Sequence, residues 1–317
     1  MLFRSCSATK RESRLVASKP SSEGVDGVNE TIDGINAYTQ PMTESVTRRR
    51  LLIGGAAAAG VTIGAAASWP LWPDRVKNVF VDPPPAFIPD AEVGRVTLES
   101  VYSESRGMGV DLFTAVPAGY GSGKDLPVVV VCHGATATPA DYEPFGLPQF
   151  LTASVDAGAE PFVLAGAYGS ALSWEPQANG DDPRGMVLDE MPEWLDERGF
   201  DASRRALWGW SMGGRGVLRM AEIEPGWARA VAAFAPAISS GDDVITNASA
   251  LAGTPLGLWV GTEDSFYEPV QELVAALPEE PEINSSGPGG HTRIYWNDQT
   301  IEAFTFLASH LGKESLN

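Results

Sequence analysis

Three kinds of side chain in this sequence could together make an alcohol reactive. Ser211 stands among glycines in Gly209-Trp210-Ser211-Met212-Gly213-Gly214. A serine hydroxyl attacks a carbonyl efficiently only when a base takes its proton and a carboxylate fixes the tautomer of that base. Histidine is the usual base, and the chain holds only His133, His291 and His310. His291 lies in a Gly/Pro-rich stretch, Ser286-Gly287-Pro288-Gly289-Gly290-His291, where missing side chains let an imidazole approach a hydroxyl closely. His310 falls near the end of an amphipathic segment, Phe304 to His310, and reads as structural. The carboxylate is expected from Glu263 or Asp264, directly after the apolar run Leu256 to Gly261. Asp264 is the better placed, because the first residues past a strand belong to the turn. Asp242 and Asp243 are the alternative position.

Such a trio needs a scaffold that gathers residues far apart in sequence. Short, nearly continuous apolar runs recur at "PVVVVC", "FVLAGA", "RALWGW", "AVAAFA" and "LGLWVG", each consistent with a strand buried on both faces. Helix-like segments lie between them: "FGLPQFLTASVDAG", "MVLDEMPEWLDERG", "MGGRGVLRMAEIE" and "SFYEPVQELVAALP", with "NDQTIEAFTFLASHLG" closing the chain. Before these, "GRVTLESVYSES" and "GMGVDLFTAVPAGY" alternate apolar and polar residues around a turn, the pattern of an antiparallel hairpin. The expectation is one α/β domain over residues 93–317, a mostly parallel sheet with an N-terminal hairpin and helices on both faces.

On that scaffold Ser211 falls between a strand and a helix. G-x-S-x-G at such a junction is the nucleophile elbow of the α/β-hydrolase fold, where the partners follow in the order serine, acid, histidine. His133 comes too early to be the base; it is expected to brace the loop after its strand. The order selects Ser211, Asp264 and His291. The oxyanion of a tetrahedral intermediate would then meet the backbone N–H of Met212 and that of Ala135, just past His133-Gly134. Trp210 and Tyr142 are candidate substrate-binding aromatics, with Trp174 and Tyr267 as further rings that could line a pocket or fill the core.

Charge narrows the partners. The 317-residue chain carries a net charge of −19, and because residues 1–67 hold a slight basic excess, the remaining 250 carry −21. A body so acidic repels phosphate backbones, which argues against nucleic acid as a partner. Of two cysteines, Cys6 and Cys132, the second sits in a valine-rich run and reads as a small core residue. From Thr47 the sequence "TRRRLLIGGAAAAGVTIGAAASWP" sets consecutive arginines before a weakly apolar stretch that ends in small residues, the layout of an export signal of the twin-arginine type. Met42 opens a segment that would serve as such a signal by itself. Residues 1–41 are therefore expected to be a disordered or mis-assigned extension, 42–67 the signal, and 68–92 a proline-rich linker or strap. Left uncleaved, the signal would be a membrane anchor, the one membrane contact expected of the chain.

The opening hairpin, the His133-Gly134 loop, "DEMPEWLDERGFDASRRALWGWSMGG", "GTEDSFY" and "GGHTRIYW" occur in an order that resembles the putative esterase family of α/β hydrolases. That group is similar to S-formylglutathione hydrolase (esterase D) and to the secreted mycolyltransferases. The resemblance runs from about Val93 to Leu311. It implies carboxylic-ester chemistry by Ser211, Asp264 and His291 on a small-molecule, lipid or sugar ester, with no metal and no organic cofactor. It leaves open an acyltransferase acting on cell-envelope sugars, and a binding protein without activity. The chain leaves little room for a cap domain, which speaks against a large enclosed acyl tunnel.

Overall fold

The apolar runs pair side by side because each buries both of its faces. The computed structural model describes residues 85–312; the expected extension 1–41, the export segment 42–67 and the linker residues 68–84 lie outside the described residues. The strands are β1 (Val96–Ser103), β2 (Met108–Ala115), β3 (Pro127–Cys132), β4 (Val163–Ala167), β5 (Asp201–Trp210), β6 (Val231–Phe234), β7 (Leu256–Gly261) and β8 (Ile283–Gly287). They form one sheet in the order β1-β2-β4-β3-β5-β6-β7-β8. β1 pairs antiparallel with β2, and β2 antiparallel with β4; every other pairing is parallel. The hairpin and the mostly parallel sheet agree with the sequence pattern.

Side-chain alternation along β3 shows why its run is unbroken. Val128, Val130 and Cys132 enter the core on one face, while Val129 and Val131 enter the core on the other. The first face is covered by α2 (Met191–Glu197), α3 (Met212–Ile223) and α4 (Tyr267–Ala276), through Leu195, Leu218 and Leu273 among others. The second is covered by α1 (Leu147–Asp156) and α5 (Arg293–His310), through Phe150, Phe304 and Leu307. Rings dominate this second core: Trp208 meets Phe304 at 5.0 Å and Phe234 at 5.6 Å, both edge to face. Burial of each such side chain contributes about 1.5–3 kcal/mol.

Two elements depart from the sequence reading. β8 has no counterpart among the apolar runs; its residues Ile283-Asn284-Ser285-Ser286-Gly287 hold a single apolar side chain, yet they extend the sheet beside β7. The helix expected from Met186 begins instead at Pro183 and passes through a wider π turn, Met186–Glu190, before α2. Pro192 has no N–H to offer the Leu188 carbonyl one turn back. That carbonyl accepts the Trp227 indole N–H instead, at 3.0 Å.

The described end of the proline-rich segment lies on the second face. The Phe87 carbonyl accepts from Asn297 Nδ2 at 2.6 Å, and the Phe87 ring meets Phe150 edge-on at 5.9 Å. Among the described residues no helix is long and apolar enough to cross a membrane.

Candidate active site

β5 stops at Trp210 and α3 starts at Met212, so one residue makes the turn. Ser211 takes φ 57° and ψ −120°, a conformation that costs a non-glycine residue about 1–3 kcal/mol. Its surroundings enforce it. The Ser211 N–H donates to the Phe234 carbonyl at 2.8 Å, and its own carbonyl accepts from Ala237 at 2.9 Å and Arg215 at 3.1 Å. The flanking glycines are there because nothing larger fits. A Cβ on Gly213 would run into the Cys132 carbonyl, and one on Gly209 into the Gly213 backbone. On Gly214 it would stand 2.9 Å from the Phe234 oxygen. The start of α3 is thus pressed against the ends of β3 and β6, and the serine side chain is pushed outward.

The acid and the base come from the other end of the sheet. After β7 the chain turns sharply, with Thr262 N–H donating to the Gly287 carbonyl (2.8 Å) and Glu263 N–H to the Gly289 carbonyl (2.9 Å). These bonds lace the loop after β7 to the loop after β8. They leave Glu263 exposed and turn Asp264 inward, its side chain fully buried. Asp264 Oδ1 accepts from the Phe266 N–H at 3.0 Å, and Oδ2 lies 2.8 Å from His291 Nδ1. His291 Nε2 lies 2.8 Å from Ser211 Oγ. The rings of Phe266 and Trp296 stand edge to face against the imidazole at 5.1 and 4.9 Å and hold its plane. With Nδ1 protonated toward the carboxylate, Nε2 is left with a lone pair aimed at the hydroxyl.

The structure therefore brings Ser211, Asp264 and His291 together. The alternative acids are elsewhere: Asp242 pairs with Arg215 (3.0 Å) and caps the short helix Asp243–Thr246, while Asp243 is exposed. His310 pairs with Glu282 at 3.1 Å, away from the serine. Among the described residues the amides of Met212 and Ala135 have no acceptor in the protein. Ala135 lines the cleft beside Ser211.

His133 holds the loop that carries Ala135. It is wholly buried, with Nδ1 donating to the Gly134 carbonyl at 2.8 Å and Nε2 accepting from Gly169 at 3.0 Å. The Trp174 indole N–H donates to the His133 carbonyl at 3.1 Å. Burial pulls the imidazole down to about 4, so the ring stays neutral. Burial pushes the Cys132 thiol up, in keeping with a core residue. Among the described residues no group of three His, Cys, Asp or Glu side chains is arranged to hold a metal ion.

A cleft of about 380 Å³ opens over the serine. Trp210 forms part of its wall, as its position beside the serine suggested. Tyr142 requires a correction. It is wholly buried beneath Gly166, its hydroxyl donating to the Val131 carbonyl at 3.3 Å, and it touches the site only through the Trp210 ring, 5.8 Å away. Trp174 is likewise core, and Tyr267 packs against the core on the first face of the sheet. The sequence reading missed Phe145, Arg293 and Trp296 in the cleft wall. Only the closeness of Arg293 and Trp296 to His291 in sequence could have pointed to them.

Several solved structures share the fold. A ferulic acid esterase superposes with a TM-score of 0.61 at 16% identity, covering 69% of this chain and 98% of that one. S-formylglutathione hydrolase from Agrobacterium tumefaciens gives 0.59 at 18% identity, covering 71% and 98%. The ferulic acid esterase of the anaerobic fungus Anaeromyces mucronatus gives 0.58 at 20%, covering 70% and 92%. At such identities the likeness is one of fold. No curated protein matches the chain in sequence. The family model described as "Esterase: Putative esterase" matches residues 103–277, which include Ser211 and Asp264 and stop short of His291. With more than half of its length matched, the chain belongs to the putative esterase family of serine hydrolases and has the α/β-hydrolase fold.

Proposed function

We propose that the chain is an exported serine carboxylesterase that cleaves small esters through an acyl-enzyme on Ser211. His291 Nε2 takes the hydroxyl proton as Oγ attacks the ester carbonyl, and Asp264 stabilises the imidazolium that forms. The N–H groups of Met212 and Ala135 receive the oxyanion, each such donor lowering the barrier by about 3–4 kcal/mol. His291 then returns the proton to the leaving alcohol. A water, deprotonated by the same nitrogen, releases the acid and restores the serine. His291 is 31% exposed, which supports water as the acyl acceptor. The rings of Phe145, Trp210 and Trp296 offer apolar surface to an acyl or aryl group, in line with the ferulic acid esterases of the same fold. Export rests on the arginine-led segment from Thr47.

The observation that carries this reading is the unbroken chain of 2.8 Å contacts from Asp264 through His291 to Ser211. Treatment with a fluorophosphonate probe should label the wild-type protein at Ser211 and leave Ser211→Ala unlabelled. Equal labelling of both, or of neither, would reject the reading.

A further inference from the structure

Among the residues lining the cleft, Arg293 alone carries a permanent charge. It is held in place by uncharged partners. One terminal nitrogen, Nη2, donates to the Phe145 carbonyl at 2.8 Å and to Asn297 Oδ1 at 2.7 Å. The guanidinium carbon stands 3.5 Å above the centre of the Phe145 ring. Asn297 is itself buried and oriented by its bond to the Phe87 carbonyl, so this backing is fixed before any ligand arrives.

Among the described residues no carboxylate lies within ion-pair distance of Arg293. Asp141 is near enough to act on it electrostatically, but an oxygen of that carboxylate is committed to the N–H and hydroxyl of Thr138, at 2.7 and 2.9 Å. Among the described residues Nε and Nη1 of Arg293 have no acceptor, and the side chain lines the cleft. The position disfavours a cation twice over. Burial draws the guanidinium down to about 10, and Arg293 is the first residue of α5, at the positive end of the helix dipole. In a chain of net charge −19, a cation so placed and left unpaired calls for an anion from outside.

The geometry points to Arg293 as the residue that selects esters bearing a carboxylate close to the scissile bond. The assignment rests on the esterase reading above and names its substrate class. Arg293 is two residues from His291, so their Cα atoms are at most about 7 Å apart. The reacting carbonyl and the anion would therefore share one compact cleft, as in the half-ester of a short dicarboxylic acid. An unengaged N–H on Nε or Nη1 would donate to a carboxylate oxygen.

The test compares ester pairs that differ by one carboxylate. Monomethyl glutarate against methyl valerate places the carboxylate on the acyl side; 3-acetoxybenzoate against phenyl acetate places it on the alcohol side. In at least one pair the wild type should favour the anionic ester by about tenfold or more in kcat/KM. That ratio should fall about tenfold in Arg293→Gln, recover in part in Arg293→Lys, and shrink with added salt in the wild type only. A wild-type ratio near unity in both pairs, or one that Arg293→Gln leaves intact, overturns the assignment. Direct titration of glutarate into the wild type should show binding that Arg293→Gln loses, and absence of binding counts against the site. Fluorophosphonate labelling of Ser211 separates the two failures: a labelled enzyme without charge preference refutes the anion site alone, and an unlabelled one refutes the esterase reading.

Discussion

His133 and His291 each lie beyond the carboxyl end of a parallel strand, each is followed or preceded by a glycine, and each uses both ring nitrogens. Their partners differ in charge. His133 is held by the backbone of Gly134 and Gly169, between the rings of Tyr168 and Trp174, with no access to water. Burial outweighs the Gly134 carbonyl and Asp141, which favour an imidazolium, and takes the ring down to about 4. His291 meets a buried carboxylate on one side and a reachable hydroxyl on the other. A histidine becomes a base through the company of its far nitrogen and through access at its near one, and the neighbouring glycines do not decide between the two outcomes.

The comparison can be broken first at its catalytic side. Ser211→Ala should lower turnover of a small aryl ester by about 10⁶-fold, measured on purified protein of unchanged melting temperature. Asp264→Asn should keep the fold and lower turnover by about 10⁴-fold, because the amide can donate to Nδ1 and so favours the tautomer that protonates Nε2. Near-normal turnover in that variant would mean that His291 does not depend on its partner's charge.

The structural side gives smaller effects of a different kind. His133→Asn should cost about 2 kcal/mol of stability while leaving the pH profile of turnover in place. Since the folded protein keeps His133 neutral down to about 4, whereas the unfolded chain takes up the proton near 6.5, this residue removes stability as pH falls through that interval. The loss amounts to about 3 kcal/mol, and denaturant titrations at pH 7 and pH 4.5 should show a shallower decline in His133→Asn than in the wild type. Glu263→Gln, one residue from the acid and exposed, should change stability by no more than about 0.5 kcal/mol and turnover by less than about twofold. A large effect there would mean that the acid had been assigned to the wrong side of the turn.

Much of this arrangement was legible in the sequence, for reasons that can be named. Strands β3 to β7 announced themselves because burial on both faces leaves an unbroken apolar run, which in β5 begins only at Ala206. The elbow was visible because Gly209, Gly213 and Gly214 mark backbone contacts that exclude side chains. His291 could be picked out because so few histidines compete with it. β8 was not legible: an edge strand with one apolar residue in Ile283–Gly287 looks like loop until its partner is known. Nor were the cleft walls. Tyr142 and Phe145 are neighbours in the chain, yet the first turns under Gly166 and the second faces the cleft, a difference fixed by tertiary packing alone. Asp264 was separable from Glu263 only by turn geometry, and the Gly289 carbonyl that sets that geometry belongs to the unforeseen strand's loop.

The general base hangs from the margin of the sheet. β8 has one neighbour, five paired residues and almost no apolar anchorage, whereas β5, which presents the serine, is clasped on both sides. Marginal strands open at lower free energy than central ones. Gentle heating should therefore silence the protein while its interior tryptophans still report an intact core. The gap between those two temperatures would gauge how firmly the last rung is fastened.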